Sequence, residues 1–328
     1  MLNTGFILRL ASLAYPLGTG YMANLRAGLR GVSDRWWTMR SRRCPNAMVS
    51  AESLESDTSV PEGAQVEHTL PLVAIARFTS VANHGRQWAP RPAGSPDHPE
   101  RGGQITPQGR LTETPAVGNQ EFWENVWNNA QGLPANLPAV TDSSPDLRRP
   151  VDRLYEATGS NTNARHFTLL AGPVNAIKGR LEIFNRPMAI ANFRRYVRSA
   201  VDSDTEDPDA DIQRFMAPLR ETRGVFQYLQ ADDVVTRLDA TASSILSQLQ
   251  IIELNIADAE GLSAHWNEFY PYYFSQVSEF ARTWGSDQVE WAIARYEANP
   301  RAYNREEVLK ELKEIQNDIP NWKYAFED

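Results

Sequence analysis

Three acidic side chains at residues 202–206 have the spacing Asp-x-Asp-x-Glu, which would suit acid–base chemistry if the segment were a buried strand. The intervening residues are Ser203 and Thr205, and Asp207, Pro208 and Asp209 follow. So polar a segment is typical of a solvated turn, where nothing desolvates a carboxylate towards the role of a general acid. We therefore expect no catalytic residue here.

The five histidines lack the close pairing of metal ligands. His84 and His98 share one segment rich in Pro and Gly, whereas His68, His166 and His265 lie far apart in the chain. The sequence also has no Ser or Cys nucleophile motif and no glycine-rich phosphate loop. It therefore predicts no catalytic, metal-binding or cofactor-binding residue.

Aromatic side chains outside the helical packing stripes are the remaining candidates for ligand contact. Trp88 lies in an irregular segment, and Tyr272 and Trp291 fall off the apolar stripe of their helix. Exposed rings of this kind stack on sugars or anchor protein partners. Trp88, Tyr272 and Trp291 are thus the predicted carbohydrate or partner contacts.

The helix that carries Tyr272 and Trp291 is the strongest pattern in the chain. Apolar residues along 262–299 recur every three or four positions, which predicts one α-helix with a broad aromatic face. So much ring surface must be covered by other helices. The residues that form the first part of the face are Trp266, Phe269, Tyr270, Tyr273, Val277, Phe280 and Trp284.

The predicted fold class is mainly α, with a C-terminal antiparallel helical bundle at residues 151–328. Helices are predicted at 163–170, 174–184, 188–201, 212–229, 234–255 and 305–315 in addition to the aromatic helix. Residues 63–150 should be loop-rich, with a helix beginning near Leu72 and another at 119–129. Residues 1–62 should be a disordered or leader segment, so that the N-terminal third is proline-rich and largely irregular.

Composition excludes several classes of protein. The net charge of −8 argues against nucleic-acid binding, although residues 1–43 hold seven arginines and should form a solvated basic arm. Cys44 is the only cysteine, so no intrachain disulfide can form. No apolar run reaches the roughly 18 residues of a membrane span. The apolar start lacks a preceding basic residue and is not a convincing signal peptide.

Several short phrases together resemble the non-catalytic C-terminal region of fungal class V chitinases, the killer-toxin-like members of glycoside hydrolase family 18. The resemblance runs from about residue 62 to the C terminus. The phrases are Val66-Glu67-His68-Thr69-Leu70, Phe122-Trp123, Trp127-Asn128, Arg153-Leu154-Tyr155-Glu156-Ala157 with Gly159-Ser160, Asn175-Ala176-Ile177-Lys178-Gly179-Arg180, Pro187-Met188, Val225-Phe226-Gln227-Tyr228-Leu229 and Trp266-Asn267-Glu268-Phe269.

In that family the catalytic barrel and the chitin-binding modules precede this region, and the acidic motif lies on a barrel strand with apolar intervening residues. The resemblance therefore implies no catalytic residue for this chain. It implies a fungal, secreted, cell-wall context. The sequence does not determine the oligomeric state. The expected function is a non-catalytic module for protein or chitin association. The alternatives are a helical protein-interaction protein without a carbohydrate link, and a fragment of a chitinase whose hydrolysis belongs to another domain.

Overall fold

The computed structural model describes residues 21–23, 25, 32–39, 48–54, 59–90, 107–202 and 206–327. Within these ranges the fold is mainly α, as the sequence predicts, and it also contains one small sheet that the sequence analysis did not predict. The strands are β1 Arg35–Met39, β2 Val49–Ser53, β3 Ala64–His68 and β4 Phe167–Ala171. The helices are α1 Leu72–His84, α2 Pro150–Thr158, α3 Gly172–Glu182, α4 Ile190–Asp202, α5 Pro208–Leu229, α6 Asp232–Asn255, α7 Leu262–Ala298 and α8 Arg305–Asp318.

Helix α7 is the predicted aromatic helix, and its bounds agree with the sequence to one residue. It packs against α1, α4, α6 and α8, so its aromatic face is covered as expected. The Phe269 and Tyr273 rings stack at 5.0 Å, and Phe78 of α1 meets Trp266 edge-on at 5.2 Å. No helix of the described residues is apolar over a length that could cross a membrane.

The other helices begin where the sequence supplies the right terminal chemistry. The Asp207 carboxylate accepts a hydrogen bond from the Ala210 N–H, and Pro208 takes the first helical position of α5. Asp232 and Asp233 place negative charge in the first turn of α6. These starts lie two to four residues before the predicted ones, because the periodic pattern registers only the apolar residues.

The sheet corrects the prediction that residues 1–62 lack structure. Its strand order is β2-β1-β4-β3, in which β1 and β4 are parallel and the outer pairs are antiparallel. Trp37 of β1 is buried against the Tyr228 ring, with the ring centroids 5.7 Å apart. Arg35 and its neighbours are therefore part of a strand, whereas Cys44 and residues 1–20 lie outside the described residues.

Strand β4 also corrects a prediction, because a helix was expected over residues 163–170. A short 3₁₀ helix at Ala164–His166 leads directly into the strand. All five residues of β4 are buried, since helices cover one sheet face and Tyr21 with Met22 covers the other. A strand covered on both faces reads as a continuous apolar run, which periodicity does not distinguish from a helix.

Between α1 and α2, the described residues 85–90 and 107–149 contain one short helix and are otherwise mostly irregular. The expected helix at 119–129 is a π-helix at Phe122–Val126, where the Phe122, Trp123 and Trp127 rings pack together. The buried Arg153 guanidinium then holds the proline-rich link by donating to the Pro138 and Leu147 carbonyls. Its third hydrogen bond goes from Nε to Gln248 Oε1 at 2.9 Å, so the buried cation has partners for all three of its nitrogens.

Candidate functional site

Trp88 lies in the core and not at a ligand surface. Its side chain is 6% exposed, and its indole N–H donates to the Arg77 carbonyl at 2.9 Å. The Arg77 guanidinium lies over the indole ring, 4.3 Å from its centroid. Packing therefore accounts for this tryptophan completely, and a sugar has no free ring face to stack on.

Tyr272 is half-buried on α7, and its ring also contacts an arginine side chain. The guanidinium carbon of Arg110 lies 4.9 Å from the centre of its ring. Arg110 is exposed and belongs to the segment that follows residue 106. The tyrosine thus contributes to holding this segment on α7 through a cation–π contact.

Trp291 is the predicted contact residue with the most unusual surroundings. Three guanidinium groups converge on its half-buried indole: Arg194 at 5.2 Å, Arg198 at 5.7 Å and Arg295 at 5.3 Å from the ring centroid. Arg194 and Arg198 come from α4, whereas Arg295 comes from the next turn of α7. We call Arg194, Arg198, Trp291 and Arg295 the arginine–tryptophan surface.

The positive charge of this surface is not neutralised locally. Within the described residues, no carboxylate makes an ion pair within 4 Å of any of its three guanidinium groups. Glu297, two residues after Arg295, pairs with Lys313 at 2.9 Å instead. In a chain of net charge −8, this is a local island of unpaired cations.

Buried polar groups lie beneath the same surface. Trp284, Gln288, Trp291 and Arg295 follow one another at intervals of four, three and four residues, which places them on one face of α7. That face meets α4, where the Phe193 ring lies 6.2 Å from Trp284. Gln288 is 0% exposed, and neither its amide oxygen nor its amide nitrogen has a partner in the described part of the chain.

Two further buried donors at this helix contact are unpartnered among the described residues. They are the Trp284 indole N–H and the Arg194 Nε–H. A buried polar group without a hydrogen bond costs about 1–3 kcal/mol, so folded proteins normally give it a partner. The α4–α7 contact therefore combines free donors at depth with free cations at the surface, an arrangement suited to an anionic group.

The acidic motif does not form a comparable site. Glu206 is exposed beside the start of α5, and residues 203–205 lie outside the described residues. The histidines do not assemble either: no group of three or more His, Cys, Asp or Glu able to hold a metal is found in the ranges that the structure describes. His98 falls outside those ranges.

The strongest interior charge cluster was missed by sequence reasoning. Lys178 of α3 is 1% exposed, with its Nζ 2.5 Å from Glu67 Oε1 and 2.8 Å from Glu182 Oε1. Burial lowers the pKa of Lys178, but the charges of Glu182 and Glu67 outweigh it and leave the pKa above its ordinary value. Burial raises the pKa of Glu182, against the opposing charge of Lys178.

This cluster is closed to a substrate. Tyr273 of α7 donates to the Glu182 carbonyl, and the Tyr228 hydroxyl lies 2.7 Å from Thr168 Oγ1. The side chains of Lys178 and Glu182 are only 1% and 3% exposed, so a substrate in solvent does not reach them. The cluster therefore links β3, α3 and α7. Its one sequence signal is the i, i+4 spacing of Lys178 and Glu182 within an apolar stripe.

Neither a protein-family model, nor a curated protein, nor a solved structure matches this chain. The resemblance to chitinase tails accordingly rests on the sequence phrases quoted above.

Proposed function

We propose that the chain is a non-catalytic helical module that acts by association, and that the arginine–tryptophan surface is its contact with a partner. The observation that carries the proposal is Trp291, half-buried among three unpaired arginines. Tryptophan and arginine are the residues most enriched at the energetic centres of protein interfaces. A surface that presents both residue types, with arginines that make no ion pair among the described residues, is suited to supply such a centre.

The family resemblance adds a setting to this proposal. It favours a module of the chitinase-tail type, secreted and associated with the fungal cell wall, with helices of residues 151–328 arranged as an antiparallel bundle. Pairwise packing of α4 on α5 and of α7 on α8 across short connections supports that arrangement. The second candidate ligand is then chitin itself.

The geometry favours a protein partner over chitin. Chitin is an uncharged polysaccharide, and sugars bind aromatic residues through an open ring face. At Tyr272 and Trp291 arginines already lie within 6 Å of the ring centres. An uncharged sugar would have to displace these cations without replacing their electrostatic contact.

Site-specific photo-crosslinking tests the proposed contact. A photoreactive amino acid replaces Glu290, which is exposed and adjacent to Trp291, and Leu254, which is 85% exposed on α6, serves as the control position. With secreted and cell-wall proteins of the source, position 290 should give a discrete adduct that position 254 does not. Purified partner should then bind the Trp291→Ala variant at least about tenfold more weakly, a loss of about 1.4 kcal/mol.

Absence of a position-specific adduct, or equal binding of purified partner by Trp291→Ala, would overturn the proposal. Retention on chitin above a control protein, if it is lost in Trp291→Ala or Tyr272→Ala, would show that the ligand is chitin and not a protein partner. Turnover of a chitin oligosaccharide that disappears in Glu206→Gln would make the chain an enzyme. We expect neither retention nor turnover.

A further inference from the structure

We propose that the arginine–tryptophan surface is an oxyanion site that binds a carboxylate-rich segment of a partner protein. The inference rests on the proposed function, because it names the chemistry of the partner at the same surface. Its support comes from three observations: the convergence of the cations at the α4–α7 contact, the buried donors at that contact and the net charge of the chain.

The first feature is that three guanidinium groups converge on Trp291, with their central carbons 5.2–5.7 Å from the ring centroid. A guanidinium group over an aromatic ring leaves its in-plane N–H bonds free, and these bonds match the two oxygens of a carboxylate. Arg194, Arg198 and Arg295 make no hydrogen bond with any described residue through those groups. Trp291 therefore holds three guanidinium groups close together, although their like charges repel one another, and their N–H bonds remain available to a ligand.

The second feature is independent of surface charge. Gln288 lies one turn before Trp291 on the same face of α7 and is fully buried, with its amide unpartnered among the described residues. Trp284 Nε1 and Arg194 Nε add two buried donors at the same helix contact. A loose patch of surface arginines has no such unpartnered donors at the helix contact behind it.

The third feature selects the kind of anion. Nucleic acid presents a long array of phosphates, which the net charge of −8 would repel over most of its length. A short acidic peptide segment needs only the local island of positive charge. Trp291 holds the three arginines close together, so a short segment with several carboxylates can meet them at one place.

Binding of a fluorescent glutamate-rich peptide, followed by anisotropy, tests the inference directly. The wild-type chain should bind this peptide and should not bind the same peptide with every glutamate replaced by glutamine. The double variant Arg198→Gln, Arg295→Gln should bind at least about tenfold more weakly. Both arginines are exposed, so the fold should be unaffected, which a thermal melt by circular dichroism verifies.

The matched control is Arg35→Gln, Arg110→Gln, which removes the same charge from two exposed arginines on β1 and beside Tyr272. It should change the affinity by less than about twofold. Equal weakening by both double variants would reduce the effect to general electrostatics and overturn the inference. So would equal binding of the glutamine peptide, or stronger binding of a single-stranded oligonucleotide than of the glutamate peptide.

The two proposals fail in different ways. If the crosslink at position 290 forms but the glutamate peptide does not bind, the surface has a partner and the inferred chemistry is wrong. If the peptide binds and position 290 gives no partner, the anion site stands without the association function. If neither occurs, both are refuted.

Discussion

Replacing Gly285 by alanine tests how tightly the C-terminal segment is packed on α7. A methyl group at this position would lie 2.5 Å from Trp322 Cζ3 and 3.4 Å from Ile319 Cδ1. The Trp322 ring is 1% exposed, stacks on Phe226 with a centroid distance of 6.1 Å, and donates through Nε1 to Asp318. It cannot yield without losing one of these contacts.

The magnitude follows from two opposed effects. Alanine is favoured over glycine inside a helix by about 1 kcal/mol, so an unhindered substitution would stabilise the protein. Here the ring must move by about 1 Å to reach ordinary van der Waals separation. Overpacking of this kind costs about 1–3 kcal/mol, and the strained indole hydrogen bond adds about 1 kcal/mol. We therefore expect Gly285→Ala to lower the free energy of unfolding by about 2 kcal/mol.

Gly179 provides the matched control, because it is an exposed glycine inside α3 with no atom within 4 Å of the added methyl position. Gly179→Ala should stabilise the protein by up to about 1 kcal/mol. Urea unfolding, followed by circular dichroism and tryptophan fluorescence, measures both changes. If Gly285→Ala stabilised the protein as much as Gly179→Ala, Trp322 would not pack on α7 as described.

Two further predictions concern buried charge. Burial lowers the pKa of His68 and His166 to about 3, so below about pH 6.5 the unfolded chain binds more protons than the folded one. As the pH is lowered from about 6.5 towards 3, the free energy of unfolding should therefore decrease by about 1.4 kcal/mol per pH unit for each histidine. In a urea titration at several pH values, His166→Gln should reduce that slope and His84→Gln, at an exposed position, should not; an unchanged slope in both would show that His166 takes up protons in the native state. Lys178→Met should lower the free energy of unfolding by about 3–5 kcal/mol because it leaves the buried carboxylates without an opposite charge. Adding Glu182→Gln should restore part of this stability. Simple additivity of the two losses would contradict their pairing.

The long helices could be predicted from the sequence because each carries its own periodic signal. The aromatic face of α7 and the apolar stripe of α6 repeat over many turns, so local spacing alone identifies them. Because this face holds so many aromatic rings, their burial by other helices could also be predicted. The exact starts of α5 and α6 depend on Asp207, Asp232 and Asp233, which a search for apolar residues passes over.

The sheet could not be predicted in the same way, because its strands are stabilised by distant partners. Trp36 pairs with Leu169 in parallel, across more than a hundred residues. Each strand has only five residues, too few for a decisive period of two. The basic residues that flank Trp36 and Trp37 favoured a solvated arm instead. Only the pairing with β4 makes this segment part of the core.

The candidate site was predicted in part. The sequence analysis named Trp291 as a contact residue, and it remains half-buried, although it lies seven residues after Trp284 and therefore on the same face of α7. The same reasoning for Trp88 found a core residue. The convergence of Arg194 and Arg198 on Trp291 needs the packing of α4 on α7, which no local pattern contains. The burial of Gln288 beneath them depends on the same contact.

Fluorine NMR of the chain labelled with 5-fluorotryptophan is the most direct test of the account. Loss of one signal in Trp291→Phe assigns the Trp291 resonance. Titration with the glutamate-rich peptide should shift this resonance and leave those of the buried Trp37 and Trp127 unchanged. The shift should disappear in Arg198→Gln, Arg295→Gln. Peptide binding that leaves the Trp291 resonance in place would contradict the assignment of function to this surface.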